Sequence, residues 1–142
     1  MIIADTNVVS EFMKDAPNTA VLRWAQGIRR ADLTITVITV EEVERGLGRM
    51  PAGRRRRDLE QRWDGLLRRF TDSITSYDLA AAHATAGVLV ESLRRGHQMT
   101  LADAQIAGIC RSLGATLATR NTKDFEDIAE LDIVNPFDAP PT

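Results

Sequence analysis

Met1-Ile2-Ile3-Ala4-Asp5-Thr6-Asn7 opens the chain. Three apolar residues run straight into an acid, the pattern of a short buried strand that ends in a turn. A buried strand does not normally finish on a charge. Taking a lone carboxylate out of water costs several kcal/mol unless it is paired or holds a metal. Asp5 is therefore the first candidate for chemistry. The stretch also lacks the basic region that opens a secretory signal, so it reads as a strand that begins the fold.

Working outward, a helical pattern starts at Asn18, with Val21, Leu22, Trp24, Ala25 and Ile28 on one broad face. Leu33 to Val40 is rich in Thr, Val and Ile and predicts a strand. Glu41-Glu42-Val43-Glu44-Arg45 looks helical, with Gly46 and Gly48 breaking the pattern. Leu59, Trp63, Leu66, Leu67 and Phe70 fall at helical spacing, which makes the arginine-rich segment an amphipathic helix. Ile74 to Tyr77 reads as a short strand. A helix runs from Asp78 to about Arg95 and stops at Gly96; another runs from Thr100 to near Gly114. Ala115–Thr119 and Asp132–Val134 are the last strand candidates. Strands alternating with helices imply parallel strands joined by crossovers. The expected fold is α/β: a three-layer α/β/α sandwich with a mostly parallel central sheet. The 142 residues fit one domain, placed at 1–137, with a frayed proline-rich tail at 138–142.

Composition narrows the classes. Cys110 is the only cysteine, so no disulfide forms within the chain, which suits a reducing, cytoplasmic setting. Its apolar neighbours read as a buried packing site. No run approaches the roughly 20 apolar residues of a membrane span, so no membrane partner is expected. Net charge is only −2, but Arg54, Arg55, Arg56 and Arg57 form a run followed by Arg62, Arg68 and Arg69. That segment is either a basic face for the phosphates of a polyanion or a solvated, salt-bridged helix surface.

An open parallel sheet places its binding crevice at the carboxyl ends of the strands. Asp5, Glu42, Asp103, Asn121 and Asp124 all fall just after predicted strands or in the first turn of a helix. Each of the later acids has a structural explanation. Thr39-Val40-Glu41-Glu42 has the capping-box pattern, Thr100-Leu101-Ala102-Asp103 resembles it, and Asn121-Thr122-Lys123-Asp124 also sets an acid in a first turn. The helix dipole favours such acids by roughly 0.3–1 kcal/mol. Asp5 resists that explanation. If Asp5, Glu42 and Asp103 converge, their repulsion calls for a cation, and oxygen-only ligands suit Mg²⁺ or Mn²⁺. Zinc fits poorly, because His83 and His97 have no cysteine partners at ligand spacing. A carboxylate cluster holding a hard cation can activate water and stabilise an in-line phosphodiester displacement.

Four ordered stretches carry a family resemblance: Ile3-Ala4-Asp5-Thr6-Asn7, Ile38-Thr39-Val40-Glu41-Glu42-Val43, Leu101-Ala102-Asp103-Ala104-Gln105-Ile106-Ala107, and Ala118-Thr119-Arg120-Asn121-Thr122-Lys123-Asp124-Phe125. In order and spacing they resemble the PIN-domain ribonucleases, specifically the VapC toxins of toxin–antitoxin pairs. The resemblance implies Asp5 and Asp103 as principal Mg²⁺ ligands, with Mn²⁺ a substitute, and Glu42 helping to hold metal and water. It implies Thr6 as a hydroxyl that orients the site and Asn7 as the motif's amide. The fourth site residue falls at Asn121 or at Asp124, and the number of metals stays open with it. The family implies endonucleolytic hydrolysis of RNA, often tRNA or rRNA, and a cognate VapB-type antitoxin whose C-terminal segment blocks the acidic pocket. It further implies a homodimer that meets operator DNA only through the antitoxin.

The alternative within the fold is a catalytically inactive PIN-like module that binds RNA or a partner. Retention of Asp5, Glu42 and Asp103 together weighs against it. A receiver domain or an aspartate-nucleophile phosphatase fits less well, because Asp5 is followed by Thr6-Asn7 rather than by a further acid.

Overall fold

The structure, a computed structural model, describes residues 1–138. Strand β1 (Ile2–Ala4) lies inside a sheet of order β2-β1-β3-β4, with β2 at Leu33–Thr34, β3 at Thr116–Ala118 and β4 at Ile133–Val134. Every pairing is parallel; Ile3 sits opposite Thr34 on one side and Leu117 on the other. The helices are α1 (Thr6–Phe12), α2 (Thr19–Gln26), α3 (Val37–Arg49), α4 (Arg54–Phe70), α5 (Leu79–Arg94), α6 (Leu101–Leu113) and α7 (Thr122–Phe125).

Strand geometry builds the three layers. Successive side chains of β1 point to opposite faces. Ile3 enters a cluster with Ala81 and Val88 of α5 and Ala104, Ile106 and Ala107 of α6. Ala4 enters a second cluster with Val8 and Val9 of α1, Val43 and Leu47 of α3, and Trp63 of α4. The expected sandwich is thus the one that forms, with a separate core on each side of the sheet. Within the first core α5 and α6 pack very closely. A Cβ built on Gly108 would lie 2.8 Å from the Thr85 backbone nitrogen and 3.0 Å from the Ala81 carbonyl oxygen.

Several local expectations change. Asp5-Thr6-Asn7 is not a free turn, because Asp5 caps α1 directly. The strand expected over 33–40 ends at Thr34; the Thr36 hydroxyl accepts the Thr39 N–H at 3.2 Å and starts α3 three residues before the expected cap. A side-chain cap has overridden β propensity there. Glu42 consequently sits in the second turn of α3, not the first. Gly46 and Gly48 lie inside that helix, where each costs only about 1 kcal/mol relative to alanine. The short strand expected at 74–77 reduces to one bridge, between Thr36 and Thr75. The stops at Gly96 and Gly114 do form, with φ of 71° and 65°. Asp138 closes a short 3-10 turn, Pro136–Asp138; the rest of the expected tail lies outside the described residues. No helix among the described residues is long and apolar enough to cross a membrane.

Candidate active site

β1 lies between β2 and β3: the chain steps from β1 to β2 on one side and later crosses to β3 and β4 on the other, so the strand order reverses beside β1. Such a switch point opens a crevice there. Asp5 occupies it. One carboxylate oxygen, Oδ1, accepts the Thr6 N–H at 2.8 Å and caps α1. The other accepts the Thr119 hydroxyl at 2.8 Å and the Asn7 amide at 3.2 Å. Asp5 is only 2% exposed. Burial pushes its carboxyl up to about 6; the bonds from Thr119 and Thr6 oppose the shift, and the charges of Asp103 and Glu42 add to it. Among the described residues no Lys, Arg or His forms an ion pair with it.

Glu42 comes from α3 and leans back to α1, where the Thr6 hydroxyl donates to its Oε1 at 2.7 Å. Thr6 and Thr39 oxygens are 3.0 Å apart. A hydroxyl has one proton, so with Thr6 donating to Glu42 it is Thr39 that donates to Thr6. Asp103 stands in the first turn of α6, whose cap, Thr100, accepts the Asp103 N–H at 3.2 Å. Burial holds the Asp103 carboxyl above its ordinary range; Thr100 opposes this, and Glu42 and Asp124 add repulsion. Asp5, Glu42, Asp103 and Asp124 therefore form a chain of mutually repelling acids, drawn from four elements.

These acids are gathered but not closed into a cage: among the described residues no three His, Cys, Asp or Glu groups enclose an ion-sized point. The donor set still fits a hard cation. It is all oxygen, and Asp5 is a buried carboxylate without a counter-charge. Asp124 is half-exposed in α7 and lies 3.6 Å from His97 Nε2. Asn121 is exposed, and its N–H donates to Thr119 Oγ1 at 3.1 Å.

Sequence reading passed over Thr119. It is wholly buried, and its hydroxyl ties the end of β3 to Asp5. Its one signal was a polar residue closing an apolar strand, as Asp5 closes β1. His97 lies in the loop after α5, and its backbone is fixed by Ser92 through two hydrogen bonds, at 3.0 Å and 2.6 Å.

The arginine run does not act as one surface. Arg56 turns inward to Glu60 and the Met50 carbonyl. Arg55 shares Asp15 with Arg62. Arg54 and Arg57 are exposed. Arg55 also borders a groove of about 310 Å³ that begins at Thr6 and Glu42 and runs over Met13, Val43, Leu47 and Leu59.

Residues 2–131 match the PIN domain family, and the chain belongs to it. The plasmid stability protein StbB of Pseudomonas syringae pv. tomato is 38% identical over 98% of this chain and 100% of its own. The VapC ribonuclease Y4jK of Sinorhizobium fredii is 37% identical over 97% and 99%. Among solved structures, FitAcB from Neisseria gonorrhoeae superposes with a TM-score of 0.88 at 29% identity, covering 97% of this chain and 99% of that one. FitAB bound to a DNA fragment gives 0.89 over 99% of both. Within the PIN family the chain is of the VapC toxin type.

Proposed function

We propose that this chain is a Mg²⁺-dependent endoribonuclease and the toxin of a toxin–antitoxin pair. One observation carries the reading: Asp5 is a buried carboxylate with no cation partner among the described residues, flanked by Glu42 and Asp103 at the switch point of the sheet. Asp5 and Asp103 would hold the ion, with Glu42 beside them; Mn²⁺ has the same ligand preference. The bound ion would supply a polarised water and stabilise the charge that builds on the phosphodiester oxygens.

The chain's own groups do the rest. Thr119 and Asn7 fix one oxygen of Asp5, and the Thr6 N–H fixes the other, so the carboxylate cannot rotate. Thr6, itself held by Thr39, sets the position of Glu42. A free oxygen of Glu42 is then available to accept a proton from an attacking water. Asp124, whose charge repels Asp103, and Asn121, whose N–H bonds Thr119, would complete the crevice's polar wall.

The groove beside Thr6 and Glu42 supports an antitoxin partner. Its apolar floor suits an apolar segment, and a terminal Arg or Lys of that segment would meet Glu42. Operator DNA would be reached only through that partner, and the toxin would act as a homodimer on tRNA or rRNA in the cytoplasm. Incubating purified protein with tRNA and rRNA, with Mg²⁺ or with EDTA, tests the activity. Cleavage should need the metal and vanish in Asp5→Asn and Asp103→Asn. Expressed in cells, the wild type alone should arrest growth, and the neighbouring gene's product should relieve it. Metal-independent cleavage, or equal toxicity of the variants, would remove these acids from the mechanism.

A further inference from the structure

An acidic crevice repels a polyanion, so a cation at its lip has to hold the strand. Arg120 is placed to do so. It lies between Thr119, whose hydroxyl bonds Asp5, and Asn121. Its backbone N–H donates to Asn7 Oδ1 at 3.2 Å, and the other end of the same amide donates to Asp5 at 3.2 Å. One side chain therefore fixes both the buried acid and the backbone under Arg120.

The Arg120 guanidinium sits 4.5 Å from the centroid of the Phe137 ring. The ring is itself anchored. It packs against the core cluster of α1 to α4, and its N–H donates to Asn135 Oδ1 at 3.0 Å. Arg120 is exposed, and no carboxylate of the described residues pairs with it. Glu11, whose charge it does feel, is already taken by Lys14 at 2.9 Å and by the Asn18 N–H at 2.9 Å. The guanidinium thus has an aromatic ring on one side, while the residue as a whole stays exposed. A planar cation seated in this way offers its open face to a nucleobase, as arginines and aromatic rings do for unpaired RNA.

We propose that Arg120 is a base-stacking residue: an unpaired nucleotide next to the cut phosphate packs on its open face, with Phe137 as the floor of the stack. This rests on the RNA-cleavage reading above. It differs from the arginines of α4, which would add charge without fixing a base.

The test uses Asp103→Asn protein, which should not cut, and short single-stranded RNAs carrying 2-aminopurine at successive positions. Quenching of the probe at one or two adjacent positions is expected. Adding Arg120→Ala should abolish that quenching and weaken binding roughly tenfold. Adding Arg120→Lys should keep much of the salt-dependent affinity but not the quenching. In otherwise wild-type protein, Arg120→Ala should raise KM more than it lowers kcat, with Tm close to the parent's. Unchanged quenching in the alanine variant overturns the proposal, as does quenching restored by lysine. A loss of Tm matching that of Phe137→Ala also overturns it, since Arg120 would then be a clamp for the C-terminal turn. If the parent protein neither binds nor cuts RNA, the ribonuclease reading falls as well; binding without a stacking signal removes Arg120 alone.

Discussion

Replacing Asp5 with asparagine should make the metal-free protein more stable at neutral pH, although it deletes an acid held by three donors. Burial raises the Asp5 carboxyl from an ordinary 3.8 to about 6. A shift of that size corresponds to about 3 kcal/mol of disfavoured charge in the folded state. The sign follows from the direction. With a raised folded value, the stability that Asp5 contributes is fully present below pH 3.8 and is lost as pH climbs through about 6. Asparagine carries no charge and escapes that loss. It keeps one acceptor oxygen, so it cannot satisfy both the Thr6 N–H and the Thr119 and Asn7 donors. Lost hydrogen bonds return about 1 kcal/mol each. The net gain near pH 7.5 should be roughly 1–2 kcal/mol, or about 3–6 °C in Tm for a chain of this size.

Urea denaturation in EDTA from pH 4 to pH 8 measures this directly. The difference between variant and wild type should grow by about 2.4 kcal/mol across that range. Mg²⁺ should then stabilise the wild type by mass action and leave the variant unmoved. A variant that is less stable than wild type at pH 7.5, with a parallel pH profile, would refute the claim that Asp5 is an uncompensated buried charge.

Three further outcomes follow from the same geometry. Gly108→Ala should destabilise the fold by about 1–3 kcal/mol in urea, because the added carbon meets the α5 backbone at Thr85 and Ala81, which cannot move aside as a side-chain tip could. Thr119→Val should remove a donor from Asp5, raise its carboxyl further and move the acidic limb of the cleavage–pH profile to higher pH, read from initial rates with a labelled RNA. Changing Arg54 and Arg57 together to glutamine should lower RNA affinity and flatten its salt dependence by up to two phosphate contacts, while Mg²⁺ binding by calorimetry stays the same; changing Arg56, which is bonded to Glu60 and Met50, should instead lower Tm.

The long elements were legible because local signals agreed with the packing. Asn18, Asp78 and Thr100 cap helices, Gly96 and Gly114 stop them, and the apolar spacing of α4 matches the face that buries Trp63. Asp5 stood out because a charge at the end of an apolar strand has few structural excuses. The misplacement of Glu42 came from two rival caps. Thr36 and Thr39 both precede a glutamate by a few residues, and only tertiary contact decides between them: Thr36 starts the helix and Thr39 turns to Thr6. Helix α1 was hidden because it is seven residues long and contains two adjacent valines, which favour strands. Thr119 was hidden for another reason. Its partner lies 114 residues away in the chain, beyond the reach of any local pattern.

That last separation has a consequence in time. Synthesis delivers Asp5 114 residues before the neighbour that braces it, Thr119 at the end of β3. A ribosome-bound fragment carries an acid with no finished surroundings. The crevice at the switch point therefore takes its final shape with β3 and not with β1, although the acid it holds belongs to β1's end.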